Sequence, residues 1–75
     1  MINVILGNNI ERNNYIIDPN TTLRALLEAH DIDYTKGVMY LDGSTLKAGD
    51  LNKTFADFGV TEKCILLNVV KADNA

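Results

Sequence analysis

Few side chains of the types that catalyse reactions occur in this chain of 75 residues. It has one cysteine, Cys64, and one histidine, His30. A catalytic cysteine needs a base or a positive environment that lowers its pKa. Lys63 adjoins Cys64, but His30 falls on the apolar stripe of a predicted helix. We therefore expect Cys64 to be a small strand residue at the edge of the core, and His30 to end its helix near the negative end of the helix dipole.

Three aspartates are the remaining candidates for a cation site, namely Asp31, Asp33 and Asp42. Their spacing lacks the later glutamate that a calcium loop requires. Structural zinc sites and iron–sulfur clusters need several Cys or His ligands, and the glycines are too scattered to form a phosphate-binding loop. The sequence therefore predicts no metal, no cofactor and no enzymatic activity of the chain by itself.

Composition narrows the class of partner. The net charge is −3, and acidic and basic residues alternate along the chain without a run of Lys or Arg, which argues against nucleic-acid binding. A single cysteine cannot form an internal disulfide, which fits the reducing cytoplasm. The apolar run in the opening "MINVILGNN" is too short for a signal peptide or a membrane span, and it has no basic flank. We expect one small cytoplasmic domain that binds neither nucleic acid nor membrane.

Hydrophobic periodicity predicts a hairpin followed by a helix. The short β-rich runs "MINVIL" and "YIID" lie close together in sequence, which favours antiparallel pairing. Thr22 is a suitable N-cap for the helix within "NTTLRALLEAHDID". Four residues of that segment share one helical stripe: Leu23, Leu26, Leu27 and His30.

The second half of the chain predicts further strands and a single helical turn. "VMYL" indicates a third strand before the turn dipeptide Asp42-Gly43, with a very short fourth strand near Leu46. Thr54 and Asp57 resemble a capping box for one turn that ends at Gly59. "CILLNVV" is almost continuously apolar, which indicates a central strand. The expected fold is α+β, a mixed sheet of four to five strands with one helix packed across one face.

Element order and local motifs resemble the ubiquitin-like β-grasp family. The resemblance rests on "DPNTTL" at the start of the helix, "MYLDGSTL" at the third strand and "KTFADFGV" before the last strand. It covers residues 1 to 71 as one domain and leaves 72–75 as a short polar tail. Two features depart from the family pattern: the segment 48–53 is longer, and the terminal Gly-Gly is absent. We identify the chain as a ubiquitin-like protein without Gly-Gly and expect a bacterial origin.

The resemblance implies a protein-binding patch on the sheet face opposite the helix. Tyr40 matches the central patch residue, and Val70 or its neighbour Val69 falls near the last-strand member. Because Asn68 is polar, we expect its face of the strand to be solvated, with Leu66 and Val70 outward beside it and Ile5 on the same surface. The expected protein-binding residues are Ile5, Tyr40, Leu66, Asn68 and Val70. The alternative is that these are ordinary exposed apolar residues of a small domain.

Two other functions remain open at this stage. The family also contains sulfur carriers and conjugated modifiers, which act through an activated C-terminal carboxylate; here that group would belong to Ala75. Asn74-Ala75 is bulkier than the Gly-Gly that a narrow activating channel admits, which disfavours this alternative. The edge strand "YIID" offers a second surface, where a partner's strand could pair. The asparagines that flank it could equally discourage such pairing. We expect a monomer or weak dimer that acts as a non-enzymatic adaptor for protein partners.

Overall fold

The computed structural model describes residues 1–8 and 10–70. The predicted tail 72–75, including Ala75, lies outside this part of the chain. In chain order the elements are β1 (Ile2–Asn8), β2 (Arg12–Ile17), α1 (Leu23–Ala29), β3 (Val38–Leu41), β4 (Ser44–Thr45), two 3₁₀ helices (Ala48–Asn52 and Ala56–Phe58) and β5 (Lys63–Val69).

The five strands form one mixed sheet in the order β2-β1-β5-β3-β4. β1 pairs antiparallel with β2 and parallel with β5, and β3 pairs antiparallel with both β5 and β4. The helix covers one face, and its apolar stripe contributes Leu23, Leu26 and Leu27 to the core. The expected α+β architecture is confirmed, as is the central position of the last strand.

The hairpin is longer than the sequence predicts, because β2 begins at Arg12 rather than at Tyr15. An asparagine stabilises its turn: the Asn8 Oδ1 accepts hydrogen bonds from the backbone N–H groups of Ile10 and Glu11, at 2.7 and 2.8 Å. Gly7 is required just before it, since a Cβ at this position would lie 2.0 Å from the Glu11 carbonyl oxygen. Polar loop residues therefore extend the ladder instead of ending it.

Thr22 caps the helix as expected. Its Oγ1 accepts a hydrogen bond from the Ala25 N–H at 3.1 Å, which satisfies one of the unpaired donors at the helix start. The helix ends at Ala29, and His30 is the C-cap residue rather than a member of the buried stripe. On the solvent side, the Glu28 carboxylate accepts from Arg24 and from the Tyr34 hydroxyl, which fastens the following loop to the helix.

The segment around Phe55 closes the core beneath the helix start. Phe55 is fully buried, and its backbone N–H donates to the Thr21 carbonyl at 3.3 Å. The adjacent Ala56 N–H donates to the Pro19 carbonyl at 2.9 Å. The predicted capping box is confirmed: the Thr54 N–H donates to the Asp57 carboxylate and the Asp57 N–H to the Thr54 hydroxyl, at 3.0 and 3.1 Å.

Protonation of Asp57 should weaken this second 3₁₀ helix. The hydrogen bonds from the Thr54 backbone and hydroxyl hold the pKa of Asp57 below its ordinary value of 3.8. A carboxylate with a lowered folded-state pKa stabilises the fold above its unfolded pKa, and that contribution disappears as the pH falls through the folded value.

We therefore expect the free energy of unfolding to drop more steeply for the natural chain than for Asp57→Asn between about pH 5 and about pH 2. Urea unfolding at several pH values would measure both curves. Parallel curves would show that the Asp57 carboxylate contributes nothing to the fold.

Alternation along β5 corrects the predicted orientation of this strand. Leu66 is 0% and Asn68 4% exposed, and both point into the core together with Cys64. The expectation that Leu66 and Asn68 face solvent is therefore wrong. The Asn68 amide donates from Nδ2 to the Asp33 carbonyl at 2.9 Å, so this polar residue is buried as a tie between β5 and the loop after the helix. Leu67 takes the outward place instead.

The two adjacent leucines of β5 provide a test of this register. We expect Leu66→Ala to lower the free energy of unfolding by about 2–5 kcal/mol, because it leaves a cavity in the core. Leu67→Ala removes a half-buried side chain from the opposite face and should cost about 1 kcal/mol. Chemical denaturation of both variants gives the comparison, and equal losses would contradict the assignment of faces.

Candidate functional site

A contiguous apolar surface lies on the sheet face opposite the helix. Its centre is the directly opposed pair Tyr40 and Leu67, on β3 and β5. Gly7 of β1 is the other partner of Leu67 and carries no side chain. We define the outer patch as the six apolar residues of this face that lie on the three central strands: Ile5, Val38, Tyr40, Ile65, Leu67 and Val69.

The pairing of the strands holds these side chains together. Ile5 opposes Ile65 between β1 and β5, and Val38 opposes Val69 between β3 and β5. All six side chains are half-buried except Ile65, which is exposed, so the patch is packed laterally but not covered. Directly opposed side chains stand close enough to support one another. The result is a laterally packed apolar surface that extends over three strands.

Polar residues flank the outer patch at one end and on its two sides. Asn3 and Lys63 oppose each other at one end, and Arg12 and Thr45 continue the row of Leu67 towards the two edges. Within the described strands, the only charged side chains on this face are the cations Arg12 and Lys63. An apolar centre with a polar rim is the usual anatomy of a protein-binding surface. The charged side chains of this face are therefore opposite in sign to the net charge of the chain, which is −3.

The predicted protein-binding residues divide between two sides of the sheet. Ile5 and Tyr40 lie on the outer patch, whereas Leu66 and Asn68 lie in the core. Val70 is 46% exposed, but it follows the end of β5 and lines a cleft on the helix side. The structure therefore does not bring these five residues together.

Sequence reasoning missed Leu67, although one signal could have located it. Lys63 and Asn68 occupy opposite faces of β5, so only one of the two can point to solvent. Burying a charged ammonium group is far more unfavourable than burying a hydrogen-bonded amide. Lys63 therefore sets the outward face, which then includes Ile65, Leu67 and Val69.

The cleft on the helix side has a volume of about 390 Å³. Tyr15 and His30 both line it and stack, with ring centroids 3.9 Å apart and an interplanar angle of 26°. Its described lining contains no Ser, Thr or Cys side chain, so the cleft does not combine His30 with one of these three nucleophiles. The helix-end position expected for His30 is confirmed.

Two of the three aspartates considered for a cation site accept backbone hydrogen bonds instead. Asp33 accepts from the Thr35 N–H at 3.0 Å, and Asp42, in the β3–β4 turn, accepts from the Ile65 N–H of β5 at 2.8 Å. Among residues 1–8 and 10–70, no three His, Cys, Asp or Glu side chains are close enough to hold a metal ion. In the same part of the chain, no helix has the length and apolar character to cross a membrane.

Cys64 is a core residue, as the sequence predicts. It is 2% exposed, and burial together with the nearby charge of Asp42 raises the pKa of its thiol to about 11. Because the thiolate is the reactive form, this cysteine is a poor nucleophile at neutral pH.

Iodoacetamide should therefore leave Cys64 unmodified in the native protein at pH 7 and alkylate it once guanidinium unfolds the chain. Intact-mass spectrometry over time would follow the reaction. Alkylation of the native protein as fast as of the unfolded control would contradict the burial of this thiol.

Comparisons with known proteins show the fold. No family model matches the chain, and no curated protein matches its sequence. Among solved structures, it is similar to the ubiquitin-like domain of an Arabidopsis thaliana protein, determined in solution by NMR. The TM-score is 0.73 at 19% sequence identity, over 99% of this chain and 81% of that one. The chain therefore has the ubiquitin-like β-grasp fold that its motifs predict.

Proposed function

We propose that this chain is a non-enzymatic module that binds protein partners through the outer patch. The observation that carries the proposal is the packing of Tyr40 against Leu67, directly opposed across β3 and β5 at the centre of that surface. Large aromatic side chains at the centre of an apolar surface commonly supply much of the binding energy of an interface. A ubiquitin-like fold is consistent with this type of role, although one fold hosts many functions.

The rim of the outer patch suggests the chemistry of the partner. Arg12 and Lys63 are cationic, and the patch between them is apolar. A partner that complements this surface would place an aliphatic or aromatic side chain against Leu67 and carboxylates near the two cations. Such rim charges mainly govern the association rate and its salt dependence, whereas the buried centre governs the lifetime of the complex.

Two observations favour binding over catalysis. The thiol of Cys64 is buried with a raised pKa, and the described lining of the cleft beside His30 contains no Ser, Thr or Cys side chain. The carrier alternative depends on Ala75, which lies outside the described residues. It stays a prediction that the structure does not address.

Replacement of Tyr40 or Leu67 by Ala should remove partners without unfolding the domain. We expect at least about a tenfold weaker capture of each direct partner, because both side chains lie at the centre of the patch. The measurement is quantitative affinity capture with mass spectrometry, using the natural chain and each variant as bait in lysate from the source organism.

Tyr34→Ala is the matched control, since Tyr34 is also half-buried but packs on the helix side of the core. It should retain the partners that the two patch variants lose. Circular dichroism would verify that all three variants are folded. Retention of every partner by Tyr40→Ala and Leu67→Ala would refute the proposal.

A further inference from the structure

The sheet has two edges of very different length. β4 forms one edge with only two residues, Ser44–Thr45, whereas β2 forms the other with six. The β1–β2 register runs without a bulge from Ile2 opposite Ile17 to Gly7 opposite Arg12, and β2 contains neither Pro nor Lys. Natural sheets commonly protect exposed edges with such interruptions, because a regular edge can pair with another strand. β2 has no such interruption, and its one charged side chain, Arg12, is at its first position.

The backbone groups that face this edge follow from the ladder. The Asn3 N–H donates to the Glu62 carbonyl at 2.8 Å, on the side of β5. Because the backbone groups of successive residues point to opposite sides of a strand, the N–H and C=O of Val4 point to β2. Val4 is opposite Tyr15, whose N–H and C=O therefore point back to β1. The backbone groups of Asn14 and Ile16 consequently point to the free edge. The Ile16 side chain beside them is 66% exposed.

We propose that a second copy of this chain pairs antiparallel with β2 about a two-fold axis at Tyr15. In this register Arg12 of each copy is opposite Asp18 of the other, and Asn14 is opposite Ile16. The edge-facing N–H and C=O groups of Asn14 and Ile16 then bond between the copies. The pairing joins both sheets into one and leaves the two helices on the same face.

Charge selects this register over its neighbours. The backbone N–H and C=O groups that face the edge belong to even-numbered residues of β2. They can bond between the copies only when even-numbered residues oppose one another, so alternative registers differ by two positions. Centring the axis on Asn14 sets Arg12 against Ile16. Centring the axis on Ile16 sets Arg12 opposite Asn20, which lies beyond Pro19 and outside β2. Only the axis at Tyr15 matches a cation with a carboxylate at both ends of the pairing.

The resulting dimer should be weak and specific. Exposed ion pairs add little affinity but penalise mismatched registers, where like charges or apolar groups replace them. The edge shares only the rim residue Arg12 with the surface of the proposed function. The six residues of the outer patch take no part in this pairing, so the proposed function does not depend on it.

Exchange of the two charges tests the proposal. Arg12→Glu sets two carboxylates against each other at both ends of the homodimer, and Asp18→Arg sets two cations against each other. We expect either variant alone to self-associate at least about tenfold more weakly than the natural chain. An equimolar mixture of the two should dimerise like the natural chain, because each end then pairs opposite charges. Sedimentation velocity over a concentration series measures all four samples.

Asp18→Arg could disturb the turn after β2, since the Asp18 carboxylate accepts from the Asn20 N–H at 2.9 Å. A further variant therefore tests the edge without changing Asp18. Ile16→Lys changes only an exposed side chain on the edge and should also abolish the dimer, whereas Tyr40→Ala should leave it intact. The proposal is overturned if the natural chain stays monomeric at millimolar concentration. It is equally overturned if Arg12→Glu and Asp18→Arg are both folded but their equimolar mixture does not dimerise. Dissociation of the dimer by Tyr40→Ala but not by Ile16→Lys would also overturn it.

Discussion

The placement of β5 between β1 and β3 is the constraint on which the rest of the structure depends. Because side chains alternate along a strand, one register of β5 determines both what fills the core and what covers the outer face. Leu66 completes the core only if Leu67 faces outward beside Tyr40. The core and the outer patch are therefore two results of the same pairing.

Most of the architecture could be predicted from local signals. Thr22 at the helix start, the Thr54–Asp57 capping box and the apolar run of β5 each have a direct physical meaning, and the structure contains all three features. The length of the hairpin could not be read in this way. Asparagines usually indicate loops, but Asn8 here holds the turn while Asn13 and Asn14 lie within the ladder.

Only part of the outer patch could be predicted from the sequence. The predicted orientation of β5 was wrong because it rested on one residue, Asn68. Asn68 suggests a solvated face when it is considered by its polarity alone. Its burial becomes reasonable only once the loop carbonyl of Asp33, far from it in sequence, is seen to accept its amide. A tertiary hydrogen bond of this kind cannot be recognised from the pattern of residues in the sequence. The position of Lys63 on the same strand can be, and alternation from it identifies the outward residues. The charge of Lys63 is therefore a stronger indicator of the outward face of β5 than the polarity of Asn68.

The parallel pairing of β1 with β5 has a consequence for how the chain folds. Six of the seven residues of β1 meet a partner sixty positions later, from Asn3 with Lys63 to Asn8 with Asn68. Contacts this distant require closure of a large loop before they contribute, which slows folding relative to helical domains of the same size. Until β5 arrives, β1 and β3 each keep one edge unpaired. The core therefore stays incomplete until this last strand docks, and a helix as short as the seven residues of α1 is only marginally stable before that packing.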